Sequence, residues 1–299
     1  MQPDLVSSDI EALIDDIRTV NITPDERTVQ NCDAAHPVLR HFGLISHPFS
    51  DNLAPEFFFR TEAHEKAYSR MMRCIEDDIS IGMTLAPSGT GKTFLTQILL
   101  ADLDRERYLP VLILVYPGMT RAALLVELFR ELTGEAPPPR MTAGKLIGRI
   151  QDEIIALHRA GRKLVVIIDE AHFLRADCLH ILRTLSNIEI PEKKLVTVLL
   201  FGEEVFQGKL EKPQFRSVLS RAFVRADLRP LRPGEVEQFV KFRLLIAAGR
   251  PGLFDPACMQ VIFDKSQGIP REVNRLCHNA LYHAAEEGAH LITPAHIRD

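Results

Sequence analysis

The sequence has no tryptophan and only four tyrosines, and aromatic residues make up 7% of the chain. Five cysteines are present, but no two of them form a CxxC pair, and the histidines show no spacing typical of metal ligands. These absences argue against a zinc-binding domain and against a disulfide-stabilised secreted scaffold. We therefore expect the cysteines to be reduced, small apolar side chains: Cys32, Cys74, Cys178, Cys258 and Cys277.

Long hydrophobic runs and a strong excess of one charge are also missing. No apolar segment approaches the ~20 residues of a membrane-spanning helix, and the N-terminus is acidic rather than signal-like. Lys and Arg number 36 against 40 Asp and Glu, which gives a formal net charge of −4 at pH 7. A surface that is basic throughout, as in proteins that coat nucleic acid, is therefore not predicted. We expect a cytoplasmic protein with no membrane span.

The 299 residues, 46% of them hydrophobic, are enough for one large domain or two modest ones. Residues 1–41 differ from the remainder of the chain. Ile10, Leu13, Ile14 and Ile17 have the spacing of a short amphipathic helix, and a polar stretch without any period follows. This pattern predicts an N-terminal extension over residues 1–41 that is partly mobile or docked on another surface.

From residue 42 onward, apolar runs of strand length alternate with helical patterns. The runs lack polar alternation, which is typical of strands covered by helices on both faces. The alternation predicts an α/β domain over residues 42–229, with a parallel sheet in the middle of three layers. The predicted strands are Ile79–Leu85, Val111–Tyr116, Leu164–Asp169 and Leu195–Phe201. The predicted helices are Lys92–Asp104, Thr120–Leu132, Ala143–Ala160 and Asp177–Ile188.

The pattern changes to helices alone after about residue 228. Asp255-Pro256 has the form of an N-cap followed by proline at the first helical position, and Gly288 stands where a C-cap glycine belongs. A small helical lid domain is therefore predicted over residues 230–299. Its helices are Glu235–Ala248, Asp255–Gln267 and Arg271–Glu287.

A phosphate-binding loop follows the first predicted strand and opens a predicted helix. The motif GxxxxGK[ST] is matched by Gly91-Lys92-Thr93, with Ala86 where the first glycine normally stands. Glycines let backbone N–H groups turn toward a β-phosphate, Lys92 can reach the β- and γ-phosphates, and the Thr93 hydroxyl can bind Mg²⁺. We expect the nucleotide to contact Pro87, Ser88, Gly89, Thr90, Gly91, Lys92 and Thr93.

Two adjacent carboxylates end the strand Leu164–Asp169 in the segment IIDEAH. An unpaired buried carboxylate is costly, so acids at this position need a chemical reason. We expect Asp169 to hold Mg²⁺ through water, and Glu170 to polarise the attacking water as a general base. His172 could couple the nucleotide state to a partner surface, or simply be packed or solvated.

Arginines near two segment boundaries are further candidates. Arg271 opens a lid helix, where a cation is electrostatically unfavourable unless it reaches an anion, so it is either a γ-phosphate contact or a surface residue. Arg216, Arg221 and Arg225 near the end of the α/β domain could project into a neighbour's nucleotide site, and Arg221 is preferred by pattern. Taken alone, each of these three is expected to be a solvated surface arginine.

With these residues in hand, the chain from Phe42 onward resembles the AAA+ superfamily of P-loop ATPases. Within it, the chain is most similar to the general secretion pathway protein A family, and transposition ATPases of the TniB/TnsC type share nearly the same core. The family likeness is carried by short segments in addition to the P-loop and IIDEAH: Phe42-Gly43-Leu44, Pro48-Phe49, Phe57-Phe58-Phe59, His64-Glu65, LLFGEE, SRAF, Phe242-Arg243-Leu244 and GIPREVNRLC.

The resemblance implies roles for individual residues. The Pro48-Phe49 region would contact adenine, Arg271 would sense the γ-phosphate from the lid, and Arg221 would be the finger that acts on a neighbouring subunit. Where similar chains carry glutamine after the fourth strand, this one has Glu203. A carboxylate facing the γ-phosphate would repel it, so we expect that Glu203 points away or that a cation lies between them.

The favoured hypothesis is a Mg²⁺- and ATP-dependent ATPase that forms a homo-oligomer and acts on an unidentified protein partner. The alternative is a transposition regulator that assembles on DNA and recruits a transposase, and a slow nucleotide-gated scaffold is a third hypothesis. Lys193, Lys194, Lys209 and Lys212 could contribute to a DNA-facing stripe, or be solvated charges. Phe57-Phe58-Phe59 could be a partner patch, although core packing is the expected role.

Overall fold

The computed structural model describes residues 36–51, 54–191, 193–215 and 222–298. Five parallel strands form one sheet in the order β2-β3-β6-β1-β7, and β4 and β5 form a separate antiparallel hairpin. The strands of the sheet are β1 (Ile81–Leu85), β2 (Tyr108–Leu114), β3 (Lys163–Asp169), β6 (Val196–Gly202) and β7 (Ala222–Asp227). The hairpin strands are β4 (Glu189–Ile190) and β5 (Lys193–Lys194).

Every residue of the central strands β1, β3 and β6 is buried, as their unbroken apolar sequences predict. Sequence analysis located these three strands and β2 but missed β7. The reason lies at the edge of the sheet, where Arg225 and Asp227 of β7 are exposed and Ala226 between them is buried. An edge strand of this kind lacks the continuous apolar run on which the prediction depended.

Helices cover both faces of the sheet, which confirms the predicted three-layer α/β fold. One face packs against α2 (Glu62–Glu76) and α3 (Lys92–Asp102) through residues such as Met71 and Leu99. The other face packs against α4 (Arg121–Thr133), α5 (Ala143–Arg159) and α6 (Ala176–Leu185), with Leu124 and Ile150 in its core. A short helix, α7 (Val205–Leu210), follows β6. Sequence analysis did not predict α2, which begins at a capping box formed by Thr61 and His64.

The C-terminal region is helical, as predicted. It contains α8 (Pro233–Ile246), α9 (Ala257–Ser266) and α10 (Pro270–Glu286), which together bury a second apolar core. The short helix α1 (Pro37–Phe42) adds Val38, Leu39 and Phe42 to that same core. Residues 37–42 therefore pack with the lid helices, and the domain limits at 41/42 and 229/230 stay predictions. Among the residues that the structure describes, no helix combines the length and apolar character needed to cross a membrane.

Candidate nucleotide-binding site

A cavity of about 270 Å³ lies between the α/β layers and the lid. The loop between β1 and α3 lines one part of it, together with Glu170 at the end of β3. Phenylalanines before α2 and residues of α8 and α10 line the remainder, including Arg243 and Asn274. The cavity is at the carboxyl ends of parallel strands, where open α/β sheets bind their ligands.

The predicted phosphate-binding loop has the backbone conformation that its glycines allow. Gly89 and Gly91 have φ angles of +78° and +98°, in the left-handed region that disfavours residues with a Cβ. A Cβ on Gly89 would lie 2.8 Å from Cβ of Arg271, and one on Gly91 would lie 3.0 Å from Nε2 of His64. Thr90 closes the turn, because its hydroxyl donates to the Pro87 carbonyl at 2.8 Å. Glycine is therefore required at both positions.

Lys92 is a buried cation that contacts the inside of this loop. Its ammonium group donates to the carbonyl oxygens of Ala86 at 3.1 Å and Pro87 at 2.9 Å. Burial lowers the pKa of Lys92, and the nearby carboxylates, of which Glu170 acts most strongly, oppose that shift. A buried ammonium held over a loop of inward-turned backbone is suited to binding a phosphate group.

Thr93 and Asp169 come together although they are far apart in the sequence. The Thr93 hydroxyl donates to Oδ2 of Asp169 at 3.1 Å, and the Glu170 backbone N–H donates to Oδ1 at 2.9 Å. Asp169 is buried. A hydroxyl and a carboxylate beside a phosphate-binding loop are the hard oxygen donors that Mg²⁺ prefers, so these two residues fit the predicted metal site.

Glu170 lies next to an unexpected acidic neighbour. Potential ligand atoms of Glu170, His172 and Glu203 all lie within 4.8 Å of one another. Nδ1 of His172 is 3.3 Å from Oε2 of Glu170, yet both atoms are buried with no hydrogen-bond partner. Glu170 also has a φ of +55°, which is rare for a residue with a side chain. Glu203 therefore lies beside the predicted general base, and its orientation toward the γ-phosphate stays a prediction.

The lid contacts the phosphate-binding loop directly. The Arg271 backbone N–H donates to the Gly89 carbonyl at 3.3 Å, and the Arg271 side chain lines the cavity. A hydrogen bond from the Leu231 N–H to the Gly268 carbonyl, at 2.8 Å, holds the start of the lid against the turn before α10. Arg271 is thus brought to the cavity as sequence analysis expected, and its role toward the γ-phosphate stays a prediction.

Phe49 is not brought to the cavity. Its ring is 2% exposed and packs edge-to-face on Phe254 of the lid, with ring centroids 5.8 Å apart. Pro48 is connected to the cavity only through Arg243, because the Pro48 carbonyl oxygen accepts a hydrogen bond from Nε of that residue at 2.5 Å. This placement does not support the adenine contact expected for Phe49, because the apolar side chain gains more from the lid core than from an open cavity.

A different group of aromatic residues lines the cavity. Phe57, Phe58, Phe59 and Phe239 all contribute to its wall. Phe58 also stacks on Phe94, with centroids 4.8 Å apart and planes inclined by 16°. Sequence analysis expected the three consecutive phenylalanines to be core residues. Phe57 is indeed buried, but all three also form part of the cavity wall.

His64 is a site residue that sequence analysis did not assign. Its Nε2 lies 3.0 Å from the Thr90 carbonyl in the phosphate-binding loop, and its Nδ1 lies 2.8 Å from the Thr61 hydroxyl. Burial lowers the pKa of this imidazole. The segment His64-Glu65 is visible in the sequence, but its contact with the loop depends on how α2 packs beside α3, which no local pattern reveals.

Two of the three candidate finger arginines, Arg216 and Arg221, lie outside the described residues. Arg225 is described, and its side chain is engaged within the chain. Its Nε lies 3.1 Å from Oδ1 of Asp227, and its guanidinium donates to the Gln207 side chain at 2.7 Å. Arg225 would have to give up these contacts to reach a neighbouring site.

The four lysines proposed for a DNA-facing stripe are not equivalent. Lys209 donates to the carbonyls of His172 and Leu174, and burial lowers its pKa. Lys194 pairs with Glu189 across the β4–β5 hairpin. Both ammonium groups are therefore committed to contacts within the chain, which weakens the case for a basic stripe.

Comparison with known proteins identifies relatives of this chain. Residues 76–210 match the family model described as "AAA domain". General secretion pathway protein A of Aeromonas hydrophila is 33% identical over 257 residues, which cover 86% of this chain and 46% of that protein. The chain thus spans about half the length of this curated relative. The likeness to TniB/TnsC-type ATPases stays a prediction.

Solved structures share the fold at low sequence identity. The Aeropyrum pernix ORC2 protein, solved as ADPNP–ADP complexes, has a TM-score of 0.62 and 17% identity, over 84% of this chain and 70% of that one. The Aeropyrum pernix ORC1 protein in complex with DNA has a TM-score of 0.63 and 17% identity, over 84% and 66%. Cdc6p from Pyrobaculum aerophilum has a TM-score of 0.63 and 16% identity, over 84% and 69%.

At these identities the structural neighbours establish the fold alone. The matched family model covers the phosphate-binding loop, the strand that ends in Asp169 and the β6 strand. Residues 76–210 therefore match the AAA domain, and the sequence is similar to that of general secretion pathway protein A.

Proposed function

We propose that this chain binds ATP with Mg²⁺ in the cavity and hydrolyses it. The observation that carries the proposal is the convergence of Lys92, Thr93, Asp169 and Glu170 at one end of the cavity. Three of these side chains supply a cation, a hydroxyl and a carboxylate to one small volume. The fourth, Glu170, lines the cavity beside them and can accept a proton.

Each residue has a distinct part in the proposed reaction. Lys92 binds the β- and γ-phosphates and offsets their charge, while backbone N–H groups around Gly89 and Gly91 orient them. Thr93 and Asp169 hold Mg²⁺, which would neutralise charge that develops on the phosphate oxygens. Glu170 accepts a proton from the attacking water, and Arg271 closes on the γ-phosphate from the lid.

Binding of Mg-ATP to the wild-type chain and to Lys92→Ala tests this proposal. The variant should bind at least ~30-fold more weakly, because removing one member of a buried charge pair typically costs 2–5 kcal/mol. Lys145→Ala is the matched control, since Lys145 is exposed on α5. Equal affinity of wild-type and Lys92→Ala would contradict the assignment of the site.

We further propose that the chain forms a homo-oligomer in which a neighbour's arginine completes the site, and that the assembly acts on a protein partner. Support comes from the edge strand β2 and the residues after it. Leu114 is 64% exposed and Tyr116 is 54% exposed, whereas Ile113 and Val115 are buried. An exposed apolar stripe beside the carboxyl end of an edge strand is suited to contact with a second subunit.

The mass of the purified protein tests the assembly. It should be measured with no nucleotide, with ADP and with ATP plus Mg²⁺, each with and without a DNA duplex. Assembly that needs ATP alone supports the proposed oligomer, and Leu114→Lys should reduce it. A monomer under every condition would contradict the proposed oligomer, and a strict requirement for DNA would contradict action on protein partners alone.

A further inference from the structure

The cavity has a polar end and an aromatic end. Lys92 and the phosphate-binding loop occupy the polar end. Residues from the lid and from the segment before α2 line the remainder of the cavity, including Phe57, Phe239 and Asn274. A nucleotide whose phosphates are bound by Lys92 must direct its base toward the aromatic end, where planar rings can cover both faces of a purine.

Asn274 is a buried polar residue in this aromatic wall. It is 8% exposed, and its Oδ1 atom is buried with no hydrogen-bond partner. Leaving a buried amide oxygen without a donor costs free energy, so such groups in native proteins normally serve a ligand or a water molecule. Asn274 follows Arg271 by one turn of α10, and both residues line the same cavity.

The neighbouring cation is already committed to other partners. Arg243 donates to the carbonyls of Pro48 at 2.5 Å and Ser50 at 3.2 Å. Its guanidinium carbon lies 5.1 Å from the centroid of the Phe57 ring and 5.5 Å from that of Phe239. These contacts fix the aromatic wall, and they leave Arg243 with little capacity to donate to a base. Asn274, by contrast, offers the cavity a buried acceptor to which no described residue donates.

We propose that Asn274 recognises the base of the bound nucleotide and selects adenine over guanine, an inference that rests on the proposed nucleotide site. Its carboxamide would accept from the exocyclic amino group of adenine and donate to N7, the pairing that asparagine makes with adenine edges elsewhere. Guanine presents two acceptors, O6 and N7, along the same edge. One carboxamide cannot donate to both of these atoms. The oxygen of the carboxamide would therefore face one of the two guanine acceptors.

Analogues of ATP that lack single atoms test this assignment. Purine riboside triphosphate lacks the amino group, and 7-deaza-ATP lacks the N7 acceptor. The wild-type chain should bind each of them about tenfold more weakly than ATP, and GTP more weakly still. Asn274→Leu should lose more affinity for ATP than for purine riboside triphosphate, because the analogue keeps N7 but lacks the amino group from which the carboxamide accepts. Asn279→Leu, on the same helix but outside the cavity lining, is the matched control.

The possible outcomes separate this inference from the proposed function. Equal affinity of the wild-type chain for ATP and purine riboside triphosphate would overturn the role of Asn274 even if no variant folds. If Asn274→Leu loses the same factor in affinity for ATP and for purine riboside triphosphate, the inference is also overturned, because such a result would indicate a structural role for Asn274. If the wild-type chain binds no purine nucleotide at all, the proposed function itself fails.

Discussion

The two ends of the cavity are built in different ways. The phosphate end comes mostly from one strand–loop–helix segment that contains Gly89, Gly91, Lys92 and Thr93, with Asp169 added by the strand two places along the sheet. The aromatic end is assembled from segments separated by most of the chain. A contiguous motif can be identified from its local geometry, whereas an assembled surface emerges only when the lid packs against the α/β layers.

His64 connects the phosphate end of the cavity to α2. Among the substitutions that test the difference between the two ends, removal of His64 should therefore have the largest effect. His64→Ala leaves the Thr90 carbonyl without its buried partner at 3.0 Å. We expect the free energy of unfolding to fall by about 1–3 kcal/mol and ATP affinity to fall with it. Denaturant unfolding and nucleotide titration measure the two effects. His180→Ala, at an exposed position on α6, should change neither.

If His64→Ala leaves both quantities unchanged, the phosphate-binding loop is self-supporting. The local motif would then account for that end of the cavity without help from α2.

Substitution of Glu203 should perturb the phosphate end of the cavity less than substitution of His64 does. Its carboxylate lies with Glu170 and His172, close enough to Lys92 to influence the pKa of that ammonium group. Glu203→Gln removes a negative charge near the predicted γ-phosphate position, so ATP affinity should rise about three- to tenfold. Glu204→Gln at the neighbouring exposed position is the control. A loss of affinity in Glu203→Gln would indicate that the carboxylate instead holds a cation needed by the nucleotide.

The smallest predicted effect is on the pH dependence of stability, and it comes from a group of imidazoles on the lid side. Burial, which is the largest cause, acts together with His278, His36 and Arg243, in decreasing order, to lower the pKa of His47 to about 4. The unfolded chain binds a proton at this imidazole near pH 6.5, whereas the folded chain keeps it neutral until about pH 4. The unfolded state therefore binds more protons over this interval, and stability should decline as the pH falls from 6.5 toward 4.

Urea unfolding between pH 7 and pH 5 measures this decline before most carboxylates titrate. His47→Gln should flatten the pH dependence, and His180→Gln should leave it unchanged. If stability depends on pH in the same way in His47→Gln as in the wild-type chain, His47 is not the source of that dependence.

The sequence was sufficient to predict the central strands and the lid helices, and it pointed to loop residues that do line the cavity. These features depend on runs of apolar residues, local periodicity and one short motif, all of which act over neighbouring residues. The strand β7 was missed because its edge position allows exposed charges such as Arg225 and Asp227. Its register is set by pairing with β1 rather than by its own pattern.

The aromatic end could not be predicted for a different reason. Phe49 and Phe57 have similar local sequence character and both belong to the lid core, yet only Phe57 also contributes to the cavity wall. Which apolar ring becomes core and which lines a site is decided by the packing of α1 and the lid. Asn274 gave no signal in the sequence because an asparagine within a helix is usually solvated.

Glu170 is the residue proposed as the general base for ATP hydrolysis at this cavity. Glu170→Gln should be loaded with ATP and Mg²⁺ beside the wild-type chain, at concentrations where any oligomer forms, and followed through a single turnover. We expect comparable ATP binding and a hydrolysis rate about 10²–10⁴-fold lower in the variant. Hydrolysis at the wild-type rate would contradict it.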